Sequence, residues 1–276
     1  MHTRPFGGTG SEVPVIGQGT WNMERDDPAA CRRALRRGIE AGASHIDTAE
    51  AYGDGVVEEL VGQAIAGLRD RVFLATKVKP ANASRSGTVA ACEASLRRLG
   101  SERIDLYLLH WPGEHPLADT IAAFDELQAA GKIGSYGVSN FGAEELERAI
   151  ELAGPGRIAC NQVLYHLGQR AVEHRILEVC QQQRVALVGY SPFNTGDFPH
   201  SKVLDEIAAE RGMTAHQISL AYLVRREPLF AIPKAADPDH AAENAAAGDL
   251  VLSAPEIRRI EEAFPRGPYS SDAPTG

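Results

Sequence analysis

The amino-acid sequence predicts a (β/α)8 barrel of the TIM type, entered through an N-terminal β-hairpin. Three observations carry this. Eight short apolar or β-branched runs recur along the chain, each followed by a longer stretch with helical spacing. Several runs are continuous, such as Ile-Asp-Leu-Tyr-Leu-Leu at 104–109, as expected of parallel strands buried on both faces. The chain has 276 residues, and eight strand-helix units of this kind occupy roughly 250 residues. No Pro/Ser linker, charge block or low-complexity tract divides it, so residues 1–276 are expected to form one domain.

Residues 3–14 read as the hairpin, turning at Gly7-Gly8-Thr9-Gly10. The strand runs are 15–19, 44–47, 72–76, 104–109, 134–138, 158–161, 185–189 and 229–232. Among the helices, 56–66 aligns Val57, Leu60, Val61, Ala64 and Ile65 on one stripe. Residues 117–128 do the same with Leu117, Ile121, Phe124 and Leu127. Gly131 and Gly154 fall where helix C-caps are expected. The competing fold is an open doubly wound sheet, which usually carries G-x-G-x-x-G after its first strand. Here Gly17-Gln18-Gly19-Thr20-Trp21-Asn22 begins that pattern and lacks the third glycine.

Composition narrows the function. Lys+Arg number 28 against 37 Asp+Glu, a net charge of −9, which disfavours binding to nucleic acid or an anionic membrane. No run of about 18 apolar residues exists to span a bilayer. The start, Met-His-Thr-Arg-Pro-Phe-Gly-Gly, has no apolar core of a secretory signal. Cys31, Cys92, Cys160 and Cys180 are too widely spaced for a metal site and suit buried thiols in a reducing cytoplasm.

Chemistry in such a barrel sits at the C-terminal ends of the strands. The runs end in Asp47 with Tyr52 following, Thr76-Lys77, His110-Trp111-Pro112, Ser139-Asn140, Asn161-Gln162, Tyr190-Ser191-Pro192 and Ile232-Pro233-Lys234. Singly, each has an ordinary explanation: Asp47 as a helix N-cap, Lys77 as a solvated charge, His110 as locally satisfied, Tyr52 as an anchored turn. Jointly they place a carboxylate, a phenol, an ammonium and an imidazole on one rim. An ammonium beside a phenol lowers its pKa, and a carboxylate keeps the ammonium charged. Asp47, Lys77 and Tyr52 supply that set, and His110 can donate a hydrogen bond to a carbonyl. A tuned phenolic acid beside a carbonyl suits reduction, with a nicotinamide as hydride donor.

These motifs resemble those of the aldo-keto reductases over essentially the whole chain, in particular short bacterial members related to diketogulonate reductases. The matching stretches are Gly-Gly-Thr-Gly-Ser-Glu-Val-Pro, Gly19-Thr20-Trp21, Asp-Thr-Ala-Glu-Ala-Tyr-Gly at 47–53 and the strand-end motifs above, in the family's order. The resemblance implies a small carbonyl substrate and a nicotinamide cofactor bound in extended form, with Tyr52 as general acid, Lys77 and Asp47 tuning it and His110 orienting the substrate. Ser139, Asn140 and Gln162 would hold the carboxamide, beside Thr20, with Tyr190 stacked on the ring. Ser191, Pro192 and Phe193 would begin the segment over the pyrophosphate, with Ile232 nearby; an ordinary β-to-α loop is the alternative. Trp21 and Trp111 match pocket-lining positions, although a Trp is more often core.

At the adenosine end, Lys234, Glu243 and Asn244 match the NADPH-using pattern, while Ala235 and His240 stand where it has Ser and Arg. An Arg fork binds a 2′-phosphate through paired charge-assisted bonds, and a neutral His offers one donor. The resemblance therefore implies NADP(H), with NAD(H) also accepted; Glu243 and Asn244 read alternatively as helix surface. The family's longer tail is here only residues 264–276, which implies a pocket either more open or closed by other loops. A cytoplasmic monomer is expected. The alternatives are a Schiff-base lyase using Lys77 and a non-catalytic cofactor-binding barrel.

Overall fold

The computed structural model describes residues 1–274. Strands β1 (Thr3–Pro5) and β2 (Glu12–Pro14) pair antiparallel as the hairpin. Eight parallel strands follow in sheet order: β3 (Gln18–Gly19), β4 (His45–Asp47), β5 (Phe73–Val78), β6 (Ile104–Leu109), β7 (Ile133–Ser139), β8 (Ile158–Leu164), β9 (Ala186–Tyr190) and β10 (Leu229–Ala231). Parallel bridges Ile16–Ala231 and Gly19–Lys234 join the first of these to the last and close the barrel. Helices α1 (Pro28–Glu40), α2 (Val56–Ile65), α3 (Arg85–Leu99), α4 (Leu117–Ala129), α5 (Ala143–Ala153), α6 (Arg175–Gln183), α7 (Lys202–Arg211), α8 (Ala215–Leu223), α9 (Pro238–Ala246) and α10 (Ala254–Ala263) surround it.

Local chemistry sets the boundaries. Asp27 accepts from Ala30 N ahead of Pro28, and Thr214 and Ser253 form capping boxes with Gln217 and Glu256. Thr120, Ile121, Phe124 and Leu127 form the buried stripe of α4, and Gly131 follows its C-cap with φ +73°. Three expected strands run longer than their apolar runs. Lys77 lies inside β5, Ser139 ends β7, and Asn161 and Gln162 sit mid-strand in β8. Their polar groups are hydrogen-bonded inside the barrel, so apolar patterning stopped short. The first run shrinks to two ladder residues, with Ile16 pairing through the closing bridge.

One apolar cluster fills the barrel, with Leu106, Leu108, Ala186, Val188 and Phe230, and a larger one lies between barrel and helices. Phe6 plugs the floor, its ring 5.0 Å from Phe73 and 4.9 Å from Phe230. The turn behind it requires glycine, because Gly7 has φ +55° and a Cβ there would stand 2.2 Å from the Ala159 carbonyl oxygen. After α10 the chain crosses the opposite end of the barrel. Arg170 donates to the Phe264 carbonyl, and Ala143 N donates to Ser271 O at 2.7 Å. The short tail thus docks at the start of α5; its last two residues, 275 and 276, lie outside the described residues.

His45 sits near that floor, fully buried, edge-on to Phe6 and Phe73, with neither ring nitrogen hydrogen-bonded among the described residues. Burial pushes its pKa down to about 4, with Asp47 opposing and Lys77 reinforcing the shift. The folded protein therefore prefers the neutral ring, whereas the unfolded chain takes up a proton near pH 6.5. Stability is undiminished above that value and falls as pH drops toward 4, by about 3 kcal/mol at the end of the window. Urea titrations across this range are expected to show a steeper loss in the parent than in His45→Leu; parallel losses would exclude His45 as the cause.

Candidate active site

The site forms where β4 and β5 end. Asp47 pairs in register with Ala75, so Lys77, two residues on, rises on the same inner face one step higher. Lys77 Nζ is completely buried and donates to Asp47 Oδ1 at 2.5 Å, Thr48 O at 2.9 Å and Tyr52 OH at 3.2 Å. Tyr52 reaches it from the loop after β4, where Gly53, Asp54 and Gly55 all have positive φ and turn the chain into α2. Asp47 caps no helix; the N-cap of α2 is Gly55. A buried ion pair is poor value for stability, since desolvation offsets most of its attraction, so its presence here points to chemistry.

The charge states follow from the surroundings. Burial works against the Lys77 ammonium, but Asp47 and Tyr52 outweigh it and hold the pKa above the ordinary lysine value. Burial raises the Tyr52 phenol above the usual tyrosine range, and Lys77 offsets only part of this. The net lowering expected for Tyr52 is therefore absent; low dielectric penalises the phenolate more than one neighbouring cation favours it. His110 stands edge-on to Tyr52 with ring centres 5.6 Å apart. Burial, then the Lys77 charge, lowers its pKa to about 2, so the ring is neutral. Its Nδ1 is buried without a partner among the described residues, leaving Nε2 as the nitrogen turned to the open site.

A belt of amides surrounds this group. Gln162 Nε2 donates to Asp47 Oδ2 at 2.7 Å, so both carboxylate oxygens are engaged. Asn140, at φ +61°, donates from Nδ2 to His110 O at 3.0 Å and Ser139 Oγ at 3.1 Å, while its Oδ1 accepts from Tyr190 OH at 2.9 Å. Ser139 Oγ donates to Gln162 O, and Thr20 Oγ1 donates to Asp47 O. Trp21 and Trp111 are not core; they are 49% and 42% exposed on the rim, and the Trp111 ring lies 4.6 Å from His110.

The other expected site residues lie farther round the rim. Ser191 has φ +49° and opens a loop in which Asn194, Thr195 and Gly196 are also left-handed. Pro192 is buried, Phe193 packs edge-on against His216, and Ile232 joins the barrel cluster. Lys234 pairs with Asp26, on the loop before α1. His240 is exposed on the first turn of α9, its amide on the Asp237 cap. Glu243 accepts from Thr214 Oγ1 at 2.5 Å, tying α9 to α8, and Asn244 is buried behind it. Sequence reasoning missed the Thr48 carbonyl, the Gln162–Asp47 bond and Asp26. Backbone acceptors leave no sequence signal, and Asp26 lies outside every motif in Glu24-Arg25-Asp26-Asp27.

Comparisons with known proteins agree with this architecture. Residues 15–264 match the profile of the Aldo/keto reductase family. The chain is 44% identical over 262 residues to methylglyoxal reductase YeaE of Escherichia coli K12, covering 92% of each chain. It superposes on an aldo/keto reductase from Klebsiella pneumoniae in complex with NADP and acetate with TM-score 0.92, at 42% identity and 98% coverage of both. A second structure from that organism, in complex with NADPH, gives TM-score 0.92 at 41% identity and full coverage of both. The chain belongs to the aldo/keto reductase family.

Proposed function

We propose that the protein reduces small, reactive aldehydes and ketones to alcohols with NADP(H), accepting NAD(H) as well, and acts as a cytoplasmic monomer of one domain spanning residues 1–276. The carrying observation is Lys77, locked between Asp47, Thr48 and Tyr52 beside a neutral His110. The likeness to a methylglyoxal reductase supports short dicarbonyl aldehydes as the substrate class.

The donor set fits a nicotinamide cofactor. Gln162 keeps Oε1 free of any partner among the described residues, an acceptor for a carboxamide N–H, and Tyr190 presents a ring held by Asn140. Left-handed Ser191, Asn194 and Thr195 store strain, which collects at binding loops, and support placing the pyrophosphate there. Lys234 would meet the 2′-phosphate, with His240, Glu243 and Asn244 around the adenosine.

When bound, the cofactor supplies the hydride. Tyr52 OH donates the proton to the carbonyl oxygen as that atom becomes an alkoxide, and Lys77 stabilises the phenolate left behind. Asp47, held by Gln162, keeps Lys77 charged. His110 donates from Nε2 to the same oxygen and fixes its approach, while Trp21 and Trp111 wall the mouth. A charged, triply bonded Lys77 is a poor Schiff-base nucleophile, which weighs against the lyase alternative.

Loss of NADPH absorbance against a panel of aldehydes and ketones tests the reading; cofactor binding without turnover of any carbonyl would instead support a sensing barrel. Reduction needs the protonated phenol, whose pKa is raised, and His110 does not titrate near neutrality. The rate of the chemical step is therefore expected to be flat through the neutral range and to fall only above the ordinary tyrosine range. A break near pH 6.5 would mean that His110 titrates during turnover.

A further inference from the structure

We infer that Asp26 limits the preference for NADPH over NADH by occupying Lys234 in the cofactor-free protein. The inference rests on the reading of Lys234 as the 2′-phosphate cation. Lys234 enters β10's end loop through the closing bridge with Gly19, and its Nζ is paired with Asp26 Oδ2, which the β3–α1 loop brings across the seam. Both side chains are about one-third exposed, at 34% and 33%, so a ligand can reach the pair. The surroundings are acidic: Asp27 caps α1, Asp237 caps α9 and Asp239 follows it. Arg25, beside Asp26, is itself paired with Glu24, so Lys234 is the cation that Asp26 holds, and it arrives already neutralised.

A 2′-phosphate, carrying nearly two negative charges, must exchange with the Asp26 carboxylate on Lys234 and then lie next to it. A 2′-hydroxyl makes no such demand. It leaves the pair intact and can donate a hydrogen bond to Asp26. The same residue therefore opposes one cofactor and tolerates the other. An exposed ion pair is weak, so its effect is a modest factor in affinity.

Fluorescence titration with NADPH and NADH, and with 2′,5′-ADP and 5′-ADP as fragments, tests this on the parent, Asp26→Asn, Lys234→Ala and the double variant. Asp26→Asn is expected to tighten NADPH and 2′,5′-ADP by about twofold to fivefold, with NADH and 5′-ADP unchanged or slightly weaker. In the Lys234→Ala background the Asp26 substitution should be silent. If Lys234→Ala weakens NADPH while Asp26→Asn does not tighten it, Asp26 has no such role and the phosphate reading stands. If Asp26→Asn tightens NADPH equally with and without Lys234, the effect is general field and the inference is overturned. If Lys234→Ala leaves NADPH binding unchanged, the phosphate site itself is elsewhere.

Discussion

Tyr52→Phe is expected to lower turnover of an aldehyde by about 10²–10⁴-fold while leaving the NADPH dissociation constant within about twofold. The hydroxyl is the acidic group that Lys77 contacts at the mouth of the site, and the change removes one oxygen without altering the packing of the ring. Lys77 loses one of three acceptors and keeps Asp47 and Thr48, so the ion pair survives. Stopped-flow single turnovers with equilibrium cofactor titration separate the two effects. A variant that retains more than about a tenth of the parent rate would exclude Tyr52 as the proton donor. A parallel loss of cofactor affinity would mean that the hydroxyl organises the site instead.

The largest effect on stability is expected at Glu173, away from the chemistry. Its carboxylate is fully buried on the loop after β8 and accepts from Arg170 at 2.8 Å, Arg225 at 2.9 Å and Tyr165 OH at 2.6 Å. Burial opposes its charge, but the two guanidinium groups win and hold its pKa near 2. Glu173→Gln leaves Arg170 and Arg225 buried with the more distant Glu261, at 3.5 and 3.8 Å, as their remaining carboxylate among the described residues. Breaking a buried pair in this way costs about 3–5 kcal/mol. The melting temperature should fall on the order of 10 °C. Because Arg170 also holds the Phe264 carbonyl, the tail should loosen first, measurable as faster proteolysis beyond α10. An unchanged melting temperature would show that Glu261 takes over the charge.

The barrel was legible because its strands are buried on both faces, and the periodicity of α2 and α4 matches the structure to within a residue. Asp47, Tyr52, Lys77 and His110 were legible as a group because chemistry at strand ends interrupts apolar runs. The same interruption misled the boundaries, ending β5 before Lys77 and β8 before Gln162. What patterning cannot carry is the sign of a balance. The Tyr52 pKa depends on how far burial outweighs one ammonium, and only the packed site shows that. Long-range pairing is equally silent: nothing near residue 26 announces a partner at 234.

The closing seam has a consequence for how the molecule comes apart and together. Gly17 N donates to Ala231 O, Ala231 N to Val15 O and Gly19 N to Pro233 O, joining segments more than two hundred residues apart. Contacts of that sequence separation carry the greatest loop-closure entropy and therefore form late. The seam is also short, because β3 and β10 contribute two and three ladder residues. A cofactor spanning from Lys234 to the β4–β5 end would act as a clasp over this join, opposing the opening motion as well as adding binding energy. Amide hydrogen exchange at Gly17, Gly19 and Ala231 would then slow on cofactor addition more than exchange in β6 and β7, making those three amides the gauge of whether the ring is shut.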